Sequence, residues 1–132
     1  MGLNTNATVV TAEKARRIQE FVGSGVVASF DGSCPAVMDR IRGAGSFALA
    51  TAGIRHLVEA GCRVLLSCTV NKINCRDMEA MTVFGRETLK ADSLRFNHTQ
   101  YDGNAACHAL ELYPSIEEEW QAVLTATALR EK

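Results

Sequence analysis

Apolar and polar positions switch repeatedly between a strand-like and a helix-like period along these 132 residues. Residues 7–10, with two β-branched valines, read as a short strand. Thr11 then caps a helix over residues 12–22 whose apolar side is Ala15, Ile18, Phe21 and Val22. Gly23 and Gly25 end that helix. Residues 26–30 form the apolar run of a buried strand, and a long loop containing Pro35 follows. Phe47, Ala50, Ile54, Leu57 and Val58 share one side of a helix over 47–60, with Gly61 as its stop. Residues 63–70, rich in Val, Leu and Thr, read as a third strand. Asn74 and Asp77 resemble a capping box for a helix that buries Met78, Met81 and Val83 or Phe84 and ends near Leu89. A fourth strand spans 93–97. Pro114, with a Ser115/Glu118 capping box, leads into a last helix over 116–129 whose expected apolar face is Ile116, Trp120, Val123, Leu124 and Ala128. At this spacing Trp120 reads as a core residue rather than a ligand platform. Strands alternating with helices predict an α/β fold with a parallel sheet joined by right-handed crossovers.

Composition narrows the function classes. Hydrophobic residues make up 47%, enough for one domain's core, and the formal charge is −1 from 14 basic and 15 acidic residues. That balance gives no general electrostatic reason to expect nucleic acid or an anionic membrane as partner. No apolar run approaches the roughly 18 residues that span a bilayer, and no signal-peptide pattern opens the chain, so a cytoplasmic protein is expected. Five cysteines, Cys34, Cys62, Cys68, Cys75 and Cys107, form no C-x-x-C pair and read as reduced, mostly buried thiols. His98, Asp102, Cys107 and His108 fall in one expected loop at spacings that match no ligand pattern, and no metal site is assigned to them. His56 reads as a surface or packing residue.

The chemistry-bearing stretch is Ser29-Phe30-Asp31-Gly32, at the expected end of the second strand, followed by Asp39-Arg40-Ile41-Arg42-Gly43 and Gly45-Ser46-Phe47. In parallel α/β folds, ligands bind outside the carboxyl ends of the strands. The order S-x-D-G, D-x-x-R-G and G-S-F resembles the fourth βα unit of the radical SAM enzymes, especially the subfamily with a C-terminal SPASM extension. Thr5-Asn6-Ala7-Thr8 resembles the family's T-N-G-T strand, with Ala7 in place of Gly, and Leu94-Arg95-Phe96 resembles its sixth strand. Met38 precedes Asp39 where the family usually has His. Residues 1–132 thus resemble strands three to six, with their helices, of a partial (β/α) barrel, an incomplete radical SAM domain. The C-x-x-x-C-x-x-C motif that holds the family's [4Fe-4S] cluster, and the SPASM cysteines, do not occur in these 132 residues.

The resemblance implies an S-adenosylmethionine (SAM) site in an oxidoreductase that cleaves SAM reductively to a 5′-deoxyadenosyl radical, with the cluster ligands outside this chain. By position, Ser29 and Asp31 would face the ribose or methionine end, Arg42 the methionine carboxylate, Asn74 would match the family's strand-five asparagine, and Leu94 would touch adenine. His98 and Tyr101 would face the substrate, a small molecule or peptide that the residues do not identify. Plainer roles stand beside these: a turn for Asp31 and Gly32, a solvated charge for Arg42, a helix cap for Asn74. A fragment of a radical SAM enzyme, inactive alone, is the leading reading; a non-catalytic α/β binding or interaction module is the other. Either leaves sheet edges open, so self-association is expected.

Overall fold

The computed structural model describes residues 2–22, 25–100 and 103–130. Its elements run β1 (Leu3–Thr5), α1 (Ala12–Val22), β2 (Gly25–Ser29), α2 (Pro35–Arg42), α3 (Ser46–Glu59), β3 (Arg63–Val70), α4 (Met78–Val83), a π-helical turn (Phe84–Thr88), β4 (Ser93–His98), α5 (Gly103–Cys107), α6 (Ala109–Leu112) and α7 (Ile116–Arg130). The four strands form one parallel sheet in the order β1-β2-β3-β4. This is the expected α/β class of alternating βα units, consistent with part of a radical SAM barrel.

Strand alternation gives the sheet two unlike faces. Val26 and Ala28 of β2 and Val64, Leu66 and Cys68 of β3 are buried against Ala15, Met38, Ile54, Leu57 and Met81 from the helices. Leu94 and Phe96 of β4, in register with Leu66 and Cys68, pack on the same core. The residues between them point the other way. Asn4, Val27, Leu65 and Ser93 form one row across that open face, and Ser29, Ser67 and Arg95 form the next.

The first strand is not at 7–10. It lies at Leu3–Thr5, and the β-branched run after it is a turn. Thr5 Oγ1 accepts the Ala7 N–H at 3.0 Å and Asn6 Oδ1 accepts the Thr8 N–H at 3.2 Å, local bonds that compete with a ladder. Ala7 has φ 60°, the left-handed region that favours glycine. Its carbonyl presses on α3: a Cβ added to Gly53 would stand 1.9 Å from the Ala7 oxygen.

Further differences concern helices. The loop after β2 contains α2, which starts at Pro35 with its fixed φ and buries Met38. The stretch after β4, expected as loop, contains the short α5 and α6. Phe21 is exposed rather than packed, as is Val83; Phe84 instead stacks on Phe30 and meets Phe47 at a tilt, ring centroids 6.0 and 5.4 Å apart. The expected apolar face of α7 is turned outward: Ile116 is 89% exposed and Trp120 59%, with Val123 and Leu124 also exposed. The helix packs through Ala122 and Ala126 instead, small residues that let it approach Cys75 and Met78 closely. Its capping box forms as expected, Glu118 N–H to Ser115 Oγ at 3.2 Å and Ser115 N–H to Glu118 Oε2 at 3.0 Å.

Candidate functional site

The carboxyl ends of β2 and β3 are tied together by side chains from three separate segments. Phe30 N–H extends the ladder to the Ser67 carbonyl at 3.0 Å. The next donor, Thr69 N–H, reaches the Asp31 side chain instead, at 2.8 Å to Oδ1. Asp31 is 2% exposed, and a buried carboxylate requires a partner. Arg42, at the end of α2, supplies it: its Nε–H donates to Asp31 Oδ2. The Arg42 side chain is 30% exposed, and among the described residues its two terminal amino groups have no protein partner.

Asn74 completes the knot from the β3–α4 loop. Its Nδ2 donates to the carbonyls of Asp31 and Thr69, both at 3.0 Å, and its Oδ1 accepts the Asn71 N–H at 2.7 Å. It is 1% exposed and does not act as a helix cap, so the expected capping box with Asp77 is not formed. Asp77 turns toward the β2–α2 loop, where its two carboxylate oxygens accept the Ser33 N–H and hydroxyl at 2.6 Å each. Gly32 is packed under α2, since a Cβ there would stand 2.7 Å from the Met38 nitrogen.

The D-x-x-R-G and G-S-F elements form one turn. Asp39 accepts the Gly45 and Phe47 N–H groups at 2.9 and 2.7 Å and so caps α3 in place of a side chain at its N-cap, Gly45. Gly43 and Gly45 take φ 96° and 80°, open to glycine at little cost. This turn fixes the end of α2 and thereby aims Arg42 at Asp31. Met38, one residue before Asp39, is fully buried in the core.

Of the residues singled out from the sequence, Asp31, Arg42 and Asn74 are brought into one bonded group. Ser29 lies beside it on the open face, in register with Ser67. Leu94 and His98 fall on the other, helix-packed face: Leu94 against the core, His98 exposed with Nδ1 2.9 Å from Glu119 Oε1. Tyr101 lies outside the described residues. His98 borders a cavity of about 270 Å³ between β4 and α7, lined mainly by Val70, Met78, Phe96, Ala122 and Ala126.

Several polar groups of the open face carry no signal in the motif itself. Asn97 Nδ2 donates to Ser67 Oγ at 2.9 Å, and Arg95 stands in register with Ser67. Their alternation with Leu94 and Phe96 is the period-two signal that places them on the face with Ser29. Cys68 lies beneath, its Sγ 3.5 Å from Asn74 Nδ2; burial, and then the charge of Asp31, push its thiol far up.

The donor set offers hydroxyls of Ser29 and Ser67 and the Asn97 amide to ligand hydroxyl groups, and the Arg42 guanidinium to a carboxylate. It does not suit an iron–sulfur cluster. Cys62, Cys68 and Cys75 are buried and apart, and among the described residues no three His, Cys, Asp or Glu side chains converge to hold a metal ion. No helix among the described residues is long and apolar enough to cross a membrane.

No family model matches the chain. Over 122 residues, 92% of the chain, it is 34% identical to a protein named Fe-coproporphyrin III synthase from Methanosarcina barkeri (strain Fusaro / DSM 804). The chain spans about 30% of that relative's length. The match runs over nearly the whole chain, so what the two share is the parallel sheet with its helices.

Proposed function

We propose that these residues supply part of the SAM site of a radical SAM enzyme of the SPASM-type subfamily, as a fragment of that enzyme's barrel. The observation that carries the reading is the Asp31–Arg42 pair at the carboxyl end of β2. It holds a guanidinium at the strand ends with its terminal donors free for a carboxylate. Ser29 and Ser67 offer ribose hydroxyl partners on the same face, and Asn74 positions Asp31 through the backbone. SAM supplies the radical chemistry when bound, and the [4Fe-4S] cluster that feeds it an electron would take its cysteines from outside these 132 residues, which leaves the chain inactive by itself. The relative's name gives an iron porphyrin as that protein's product, which makes iron tetrapyrroles the compounds to test first with this chain.

Calorimetric titration with S-adenosylhomocysteine, the stable SAM analogue, tests the reading. Saturable one-site binding is expected, weakened at least about tenfold in Arg42→Ala, in keeping with the loss of a charge-assisted bond. No heat from the wild-type chain, or an unchanged affinity in the variant, would reject it. A non-catalytic interaction module is the second reading, favoured by the outward apolar face of Ile116, Trp120, Val123 and Leu124 on α7.

A further inference from the structure

The open face of the sheet carries two cations that nothing in the motif accounts for: Arg63 at the amino end of β3, in register with Gly25, and Arg95, two rows nearer the carboxyl ends. Arg95 is in register with Ser67, which is in register with Ser29, so the three form a row across β4, β3 and β2. At a strand spacing of about 4.8 Å, the Arg95 backbone lies about 10 Å from that of Ser29, within one small ligand's length. Leu94 and Phe96 are anchored in the core on either side, which fixes Arg95 on the open face. One step toward the carboxyl end, Asn97 is held over Ser67 by its 2.9 Å bond.

The charges of that face are one-sided. From the Gly25–Arg63 row to the Thr69–Asn97 row it holds two arginines and no carboxylate. The neighbouring acid, Asp31, is already neutralised by Arg42. Arg95 is exposed and, among the described residues, has no hydrogen-bond or ion-pair partner. An arginine set among serine hydroxyls and an amide, with no acid among the described residues paired to it, is a seat for a planar carboxylate, which its fork can grip at two points.

Resting on the reading above, we infer that Arg95 binds a carboxylate group of a ligand on the open face, a specificity contact separate from the Asp31–Arg42 pair. The carboxylate has two chemical sources, the amino-acid end of the cofactor or an acid group of the substrate.

The test compares wild type, Arg95→Gln and Arg95→Lys by titration with three probes: S-adenosylhomocysteine; 5′-methylthioadenosine, which keeps the adenosine thioether but lacks the amino-acid carboxylate; and propane-1,2,3-tricarboxylate. Affinity for S-adenosylhomocysteine reduced at least about tenfold in Arg95→Gln, with methylthioadenosine unchanged, assigns the carboxylate to the cofactor. Both nucleoside affinities unchanged and tricarboxylate binding reduced by a similar factor assigns it to the substrate. Arg95→Lys is expected to fall between, since a point charge lacks the fork. Unchanged affinity for all three probes, or an equal loss for methylthioadenosine, would overturn the inference. If neither nucleoside binds the wild-type chain, the SAM reading fails while the tricarboxylate arm still decides the role of Arg95.

Discussion

Replacing Asn74 by alanine should do more damage than any comparably sized polar truncation in this chain. The side chain is 1% exposed and makes three hydrogen bonds to backbone, at 2.7 Å from the Asn71 N–H and 3.0 Å to each of the Asp31 and Thr69 carbonyls. The Thr69 carbonyl keeps a bond from Asn71 Nδ2 at 3.3 Å, but the Asn71 N–H and the Asp31 carbonyl are stranded, at about 1–3 kcal/mol each, partly relieved where water can enter the vacated space. The total should fall at about 2–4 kcal/mol, a large share of the roughly 5–15 kcal/mol that holds a domain folded. Asn74→Asp separates shape from bonding: it retains an acceptor for Asn71 but turns an oxygen toward the two carbonyls, near Asp31. It should lose at least as much as alanine at neutral pH. Urea unfolding followed by circular dichroism measures both, with the slope expected to stay constant. A loss below about 1 kcal/mol for Asn74→Ala, or an aspartate as stable as wild type, would refute the idea that Asn74 is the clasp of the strand ends.

Gly53→Ala should cost about 3 kcal/mol or more, because its Cβ would meet a backbone oxygen at 1.9 Å, whereas Gly85→Ala, facing only the end of the Leu66 side chain at 2.9 Å, should cost about 1 kcal/mol; urea midpoints compare them. Exposed Cys107 should react first with a thiol reagent at neutral pH and Cys68 last, since burial and the charge of Asp31 hold its thiol protonated; mass spectrometry of timed samples reads the order. The Ser115 backbone N–H, chiefly, lowers the Glu118 pKa below that of an ordinary glutamate. Its contribution to α7 is therefore present above the unfolded value and is lost as pH falls through the lower folded value. Carbon chemical shifts at Ile116 should report fraying of the helix start in that acid range, and Glu118→Gln should abolish the pH dependence.

The parallel α/β order was legible because β2 and β3 are apolar runs with buried alternate residues, and because α1 and α3 keep a helical period. Strand one was misplaced because its residues, Leu-Asn-Thr, are mostly polar, while the valines after it lie in a turn fixed by Thr5 and Asn6 side chains that periodicity does not register. The outward face of α7 shows the same limit: hydrophobic spacing finds an apolar stripe but not the alanine stripe that packs closest. In the site, the S-x-D-G and D-x-x-R-G motifs named both members of the Asp31–Arg42 pair, though not that they bind each other. The Ser33–Asp77 bond and the clasp role of Asn74 depend on residues 44 and 43 positions apart, beyond any local pattern. The place of Leu94 follows from strand parity: Arg95 and Asn97 lie on the open face of the sheet, so Leu94 and Phe96 face the core.

Amide chemical-shift mapping of the chain titrated with S-adenosylhomocysteine tests the central claim most directly. The largest changes should cluster at the carboxyl ends of β2, β3 and β4, at Ser29, Asp31, Ser67, Thr69 and Asn97, and at Arg42. Changes confined to the cavity between β4 and α7, around Phe96, His98 and Ala122, or no changes at all, would contradict it.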